Sequence, residues 1–283
     1  MLNYKRCSEV NIDSVFSAFK ISFSDYMIKM DISKEIFINR FFDTEGNSIE
    51  RSFIAFDSNN PIGIILGGIK NYEGIPTMRC GSFAVHPSYR GTNVSIELFK
   101  LHRNEAVRNG CKQLFLEVIK DNFRAIKFYE NVGYQKIYEL NYFYTQNMKP
   151  LIKNNNMQLE IKRKDINDIK LVFKNLKDFH INWQNDIDYM DKVGDAYFYS
   201  AYKQYSLLGV LCIDSNGKII FLWVNKHYRC KSIGKTLLSS AYIDLNLSKL
   251  SIGFPNNNLM QGFINHIGFV KNPISQYEMY LTL

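Results

Sequence analysis

The chain has 283 residues and a net charge of +8, with 46% hydrophobic, 14% aromatic and 22% charged residues; this supports sizeable cores, and the length favours two domains. No apolar run reaches the roughly 20 residues of a membrane helix, and the N-terminal stretch MLNYKRCSEVNIDS lacks the apolar core of a secretory signal. The cysteines (Cys7, Cys80, Cys111, Cys212, Cys230) form no CxxC pair and no zinc spacing with histidine, so they read as reduced thiols of a cytoplasmic protein with no metal site.

The basic surplus is spread along the chain. Residues 1–150 carry nineteen Lys and Arg against sixteen Asp and Glu, and residues 151–283 carry sixteen against eleven. There is no basic block of the kind that binds nucleic acid.

In chain order, residues 12–22 and 33–42 show helical spacing of Ile12, Val15, Phe16, Phe19 and of Ile36, Phe37, Phe41. Residues 51–56 and 62–69 read as strands joined by the turn cluster Asp57-Ser58-Asn59-Asn60. Residues 78–85 form the next strand. A helix from Val94 to Asn109 exposes Glu97, Lys100, Arg103 and Glu105, buries Leu98, Leu101 and Ala106, and stops at Gly110. Residues 114–119 are an apolar strand broken by Glu117. Later come a helix over 165–176, strands over 196–202, 206–213 and 218–224, and a helix over 233–247. A strand at 249–254, a helix at 258–266 and strands near 269–271 and 277–282 complete the chain. Strands come early and crossover helices late in each half, the pattern of a mixed α/β sheet.

The halves repeat one plan. Val85-His86-Pro87-Ser88-Tyr89-Arg90 aligns with Val224-Asn225-Lys226-His227-Tyr228-Arg229, and each precedes an amphipathic helix. Farther on, Asn122 aligns with Asn257, Phe128 with Phe263, and Gly133-Tyr134 with Gly268-Phe269. Solenoid periods are much shorter, so this reads as domain duplication. Lys149-Pro150 followed by an Asn triplet has loop chemistry and marks the boundary.

The informative stretch is residues 83–134. A short strand meets the turn Arg90-Gly91-Thr92-Asn93 where a helix begins, and backbone N–H groups at such a helix start bind phosphate. A second strand, Asn122, a short helix bearing Tyr129, and Gly133-Tyr134 follow. The segment resembles the Gcn5-related N-acetyltransferase (GNAT) family. That family's signature is Arg/Gln-x-x-Gly-x-Gly/Ala followed downstream by Asn and by a Phe-Tyr-Glu-x-x-Gly-Phe-like stretch, here Phe128 to Tyr134.

The resemblance implies two GNAT-like domains in tandem, each a twisted mixed sheet flanked by helices. Residues 1–148 would be an acetyl-CoA-binding catalytic domain, 149–157 a linker, and 158–283 a degenerate second copy. It implies that acetyl-CoA donates an acetyl group to a primary amine of a small molecule or peptide. Pantetheine would lie along Phe83, Ala84 and Val85, and pyrophosphate over Arg90, Gly91, Thr92, Asn93, Val94 and Ser95. Asn122 would touch the CoA arm, a role compatible with capping a helix. Tyr129 would protonate the departing thiolate. Glu117 is available as the base, and His86 lies near the turn. Asn93 and Ser95 stand where the family has small residues; Asn tolerates left-handed torsions and Ser can donate to phosphate. Phe19, Phe23, Tyr26 and Met27 either line an acceptor cleft or pack in the core. Ile264 stands where the second copy would carry the phenol, which puts the chemistry in the first half. Two other readings stay open: a non-catalytic acyl-CoA-binding or regulatory module, and a basic nucleic-acid-associated protein.

Overall fold

The computed structural model describes residues 1–151, 158–176 and 180–283. In chain order the first half runs β1 (Leu2–Arg6), α1 (Ile12–Ser22), α2 (Lys34–Ile38), β2 (Ser48–Asp57), β3 (Asn60–Tyr72), β4 (Ile75–Val85), α3 (Val94–Arg108), β5 (Gln113–Ile119), α4 (Phe123–Asn131) and β6 (Gln135–Thr145). There follow β7 (Glu160–Lys164), α5 (Asn167–Asn175), α6 (Ile187–Met190), β8 (Ala196–Lys203), β9 (Ser206–Asp214), β10 (Lys218–Val224), α7 (Ile233–Asp244), β11 (Leu250–Pro255), α8 (Asn258–His266) and β12 (Val270–Thr282). Two compact units result: Met1–Ile137 with Tyr277–Leu283, and Tyr138–Gln276.

In the first unit the strand order is β1-β2-β3-β4-β5, with the end of β12 beside β5. The β1–β2, β2–β3 and β3–β4 pairs are antiparallel, and β4–β5 is parallel. Strand alternation sorts the apolar side chains to two faces. Ile54, Phe56, Ile64 and Leu66 pack with Phe19, Phe37 and Phe41 under α1 and α2. Phe53, Ala55, Ile65 and Met78 pack with Val94, Leu98 and Ile126 under α3 and α4. Fully burying a side chain such as Phe19 or Leu98 contributes roughly 1.5–3 kcal/mol.

Asn11 caps α1 by accepting from Asp13 N at 2.9 Å. The helix expected over 33–42 is α-helical only to Ile38 and continues as a π-helical segment, Asn39–Thr44. Phe37 and Phe41 are both buried all the same. The expected exposure of Glu105 is corrected: it is buried, because Arg6 Nη2 of β1 donates to it at 2.6 Å and Asn109 Nδ2 at 2.9 Å.

In the second unit the order is β11-β10-β9-β8-β7, with residues 138–145 of β6 beside β11. Leu250–Pro255 pair antiparallel with Thr145–Leu140, and β10 pairs parallel with β11. The two late strands expected near 269–271 and 277–282 are one continuous strand, β12. The expected boundary at 149–157 and the observed units differ for a physical reason. Loop composition marks where the chain turns, whereas a strand belongs to the sheet in which it pairs. Residues 152–157 of the expected linker lie outside the described residues. Among the described residues no helix is long and apolar enough to cross a membrane.

Candidate acyl-transfer site in the first unit

The site begins with a strand pair that parts. The parallel ladder between β4 and β5 covers only Thr77–Arg79 against Gln113–Phe115. On its other side β4 stays paired, with Phe83 opposite Ile65, Ala84 opposite Ile64 and Val85 opposite Gly63. The β5-facing edge of Phe83–Val85 thus has no ladder partner among the described residues, and apart from Val85 O, which accepts from Arg90 Nε, its backbone groups can meet an added extended chain.

A register shift in the same strand aims its side chains. Gly67 pairs with Cys80 and Leu66 with Ser82, so Gly81 is bulged out. Met78 and Cys80 before the bulge, and Phe83 and Val85 after it, therefore share the α3–α4 face. Gly81 is required by close approach: a Cβ there would sit 2.1 Å from Asn47 Oδ1. Asn47 is held in place by donating from Nδ2 to Phe41 O at 2.7 Å.

The Arg-Gly turn follows. Gly91 has φ +76°, a left-handed torsion that favours glycine. Asn93 instead is right-handed, with φ −74°, so its tolerance of left-handed torsions is not used. Thr92 Oγ1 donates to Tyr89 O at 2.6 Å, and Asn93 makes no side-chain cap. Val94 N donates to Thr92 Oγ1 at 3.4 Å, and the next N–H groups of α3, from Ser95 on, are left to solvent or an anion, the arrangement a helix N-terminus uses for phosphate. The Arg90 side chain is occupied elsewhere. Its Nε donates to Val85 O at 3.0 Å, and its two terminal nitrogens pair with Asp25, with Nη2 at 2.6 Å. Arg90 accordingly holds the Asp25 carboxyl below its usual range. His86 is a turn residue whose Nδ1 accepts from Ser88 N at 3.3 Å.

Asn122 caps α4, accepting from Ala125 N at 3.2 Å. Burial pushes the nearby Tyr26 hydroxyl upward, and the polar Asn122 side chain pulls it back. Tyr129 lies about two helical turns beyond Asn122. Its ring is 6.4 Å from Phe83, 5.7 Å from Phe128 and 5.6 Å from Tyr134. Burial, then Cys80 and Tyr26, hold its hydroxyl well above the ordinary tyrosine value, so it carries its proton throughout the neutral range. Burial likewise pushes the Cys80 thiol up to about 12, which leaves it inert as a nucleophile. Phe83, Asn122, Tyr129 and the sequence-flagged Tyr26 thus come together. Phe19 is core and Met27 is exposed.

Glu117 lies on the opposite face of the splayed strands. It is buried, with its Oε2 accepting from Arg79 Nη2 at 2.7 Å, while Oε1 has no hydrogen-bond partner. Arg79 Nη1 donates to Glu45 Oε2 at 3.0 Å, and Arg40 Nε reaches Glu45 Oε1 at 3.1 Å. Sequence reading passed over Arg79, Glu45, Asn47 and Gly81. One signal was present: a charged residue inside the apolar strand Met78–Val85 is rarely buried without a partner.

The second unit repeats the framework. The parallel ladder of β10 and β11 covers only Lys218–Ile219 against Ser251–Ile252, and Arg229 Nε donates to Val224 O at 3.4 Å. Its turn differs, because both Cys230 and Ser232 are left-handed at φ +60°. Ile264, at the position matching Tyr129, is fully buried and has no proton to give.

Residues 13–134 match the model of the family described as "Acetyltransferase (GNAT) family". The chain is similar to N-alpha-acetyltransferase 30 of Dictyostelium discoideum, at 29% identity over 110 residues. That match takes in 39% of this chain and spans only 58% of the relative's length. In fold it is similar to a tandem GNAT protein from the clavulanic acid biosynthesis pathway, with TM-score 0.71, 12% identity, and coverage of 100% of this chain and 98% of that one. A GCN5-related N-acetyltransferase from Sphaerobacter thermophilus gives TM-score 0.69 at 9% identity, covering 100% and 95%. Residues 13–134 thus form a domain that matches the GNAT acetyltransferase family model, and over its whole length the chain has the fold of tandem GNAT proteins.

Proposed function

We propose that the protein is an acetyl-CoA-dependent N-acetyltransferase whose chemistry resides in the first unit. The observation that carries this reading is the buried Tyr129 phenol packed beside Phe83 of β4, the strand that parts from β5. The pantetheine arm pairs with the open edge of Phe83, Ala84 and Val85. The pyrophosphate rests on the backbone of Gly91, Thr92, Asn93, Val94 and Ser95. Arg90 shapes that turn through Val85 and Asp25 rather than through a side-chain phosphate contact. Asn122 caps α4 near Tyr26, at the same wall.

Glu117 Oε1 takes the proton that the acceptor amine must lose. The amine nitrogen attacks the thioester carbon and a C–N bond forms. As the C–S bond breaks, Tyr129 gives its proton to the leaving thiolate. The name of the N-alpha-acetyltransferase relative supports a peptide α-amino group as the first acceptor to try. The test is release of free CoA from acetyl-CoA with a panel of peptides and small primary amines. Acceptor-dependent release supports the reading. Thermal stabilisation by acetyl-CoA without turnover on any amine would replace it with the non-catalytic acyl-CoA-binding reading.

A further inference from the structure

Arg79 is the charged centre of the first unit. Its side chain is 5% exposed, and its fork divides between two carboxylates that are themselves buried, Glu117 on β5 and Glu45 in the segment following α2. Only one oxygen of each carboxylate meets this fork. Glu45 satisfies its other oxygen with Arg40 at 3.1 Å. Glu117 has no donor for its other oxygen, Oε1. A lone Arg–carboxylate pair ordinarily closes as two parallel N–H···O bonds, which would engage both oxygens. Here Glu45 draws off one arm of the guanidinium. Its own position is fixed: Gly46 and Asn47 on the same segment pack against Gly68 and Gly81, where a Cβ would come within 2.3 Å of Gly46 O and 2.1 Å of Asn47 Oδ1.

Resting on the reading of Glu117 as the base, we infer that Arg79 is a positioning residue and Glu45 its anchor. Together they fix Glu117 by one oxygen and keep the other free to accept the proton of the acceptor amine. The Arg79–Glu45 pair is a regulator of base availability as much as a brace for the fold.

The test is Glu45→Gln, which keeps size and polarity but removes the charge competing for Arg79. The released arm turns to Glu117 and closes the two-bond pair, capturing Oε1. The variant is expected to fold and to show an unchanged KM for acetyl-CoA. Its kcat should fall roughly 10–100-fold, no more than the lower end of the ~10²–10⁴ that general base catalysis supplies. Its crystal structure should show both Glu117 oxygens on Arg79. Adding Arg79→Lys, a point charge that engages one oxygen, should restore most of the lost turnover. A purely structural role predicts no such rescue. Wild-type kcat in Glu45→Gln, or a loss that Arg79→Lys fails to rescue, overturns the inference. Glu117→Gln separates the two layers. Full turnover in that variant overturns the base reading and this inference with it, whereas lost turnover there beside an unaffected Glu45→Gln overturns the inference alone.

Discussion

At the scale of single residues, two buried titratable groups carry the sharpest expectations. Tyr129→Phe keeps the ring and its contacts with Phe83, Phe128 and Tyr134, so packing changes little. It removes a proton donor wanted only as the C–S bond breaks. Steady-state kinetics should show kcat lowered by about 10²–10⁴ with little change in KM for acetyl-CoA; unchanged turnover would make Tyr129 a core aromatic. His102 on α3 is buried with neither ring nitrogen hydrogen-bonded, and burial pushes it down to about 4. The charges facing it are Glu105 on the same helix and, paired with that, Arg6 of β1. The unfolded imidazole titrates near 6.5. The stability that depends on neutral His102 is therefore complete above about pH 6.5 and is lost as pH falls through 4. Thermal melts should drop between pH 7 and 4, and His102→Leu should shrink that drop. An identical acid limb in the variant would move the effect to other groups.

At the scale of elements, the turn into α3 is the part most open to redesign. Gly91 already supplies the left-handed torsion, and Asn93 and Ser95 are right-handed or helical. Replacing both with glycine lets phosphate approach the backbone more closely, at an entropic cost of roughly 0.5–1 kcal/mol each. Calorimetry with CoA should show affinity kept or tightened. A clear loss in a folded Asn93→Gly/Ser95→Gly variant would mean that the amide and hydroxyl themselves bind phosphate. Most of these elements were legible in the sequence because each follows one period. Alternation separates Phe53 and Ala55 from Ile54 and Phe56, and the spacing of Leu98 and Ala106 defines the buried side of α3. The bulge at Gly81 was not legible. It breaks the period within β4, and its cause is Asn47, some thirty residues away. Glu105 was misjudged for the same kind of reason, since its partner Arg6 arrives from β1. The helix that carries Asn122 and Tyr129 was readable because its setting, a strand end followed by a short capped helix, is local.

At the scale of the whole molecule, the two units share a scaffold and differ at the position matching Tyr129. Both units hold a parallel strand pair that parts after two or three residues, and in both an arginine is tied to the carbonyl that ends the strand. Only the first has the phenol, and only the second turns left-handed at Ser232. Where each compact unit ends could not be read from composition, because residues 138–145 and 277–283 each pair in the sheet of the other half of the sequence. The proposed function requires the first unit to bind acetyl-CoA and present its thioester to Tyr129. A crystal structure of the protein with CoA tests it most directly. The expected result is the pyrophosphate at the start of α3, the pantetheine along Phe83–Val85, and the sulfur within hydrogen-bonding reach of the Tyr129 hydroxyl. CoA bound only at the Arg229–Gly234 turn, or bound in the first unit with its sulfur directed away from Tyr129, would contradict it.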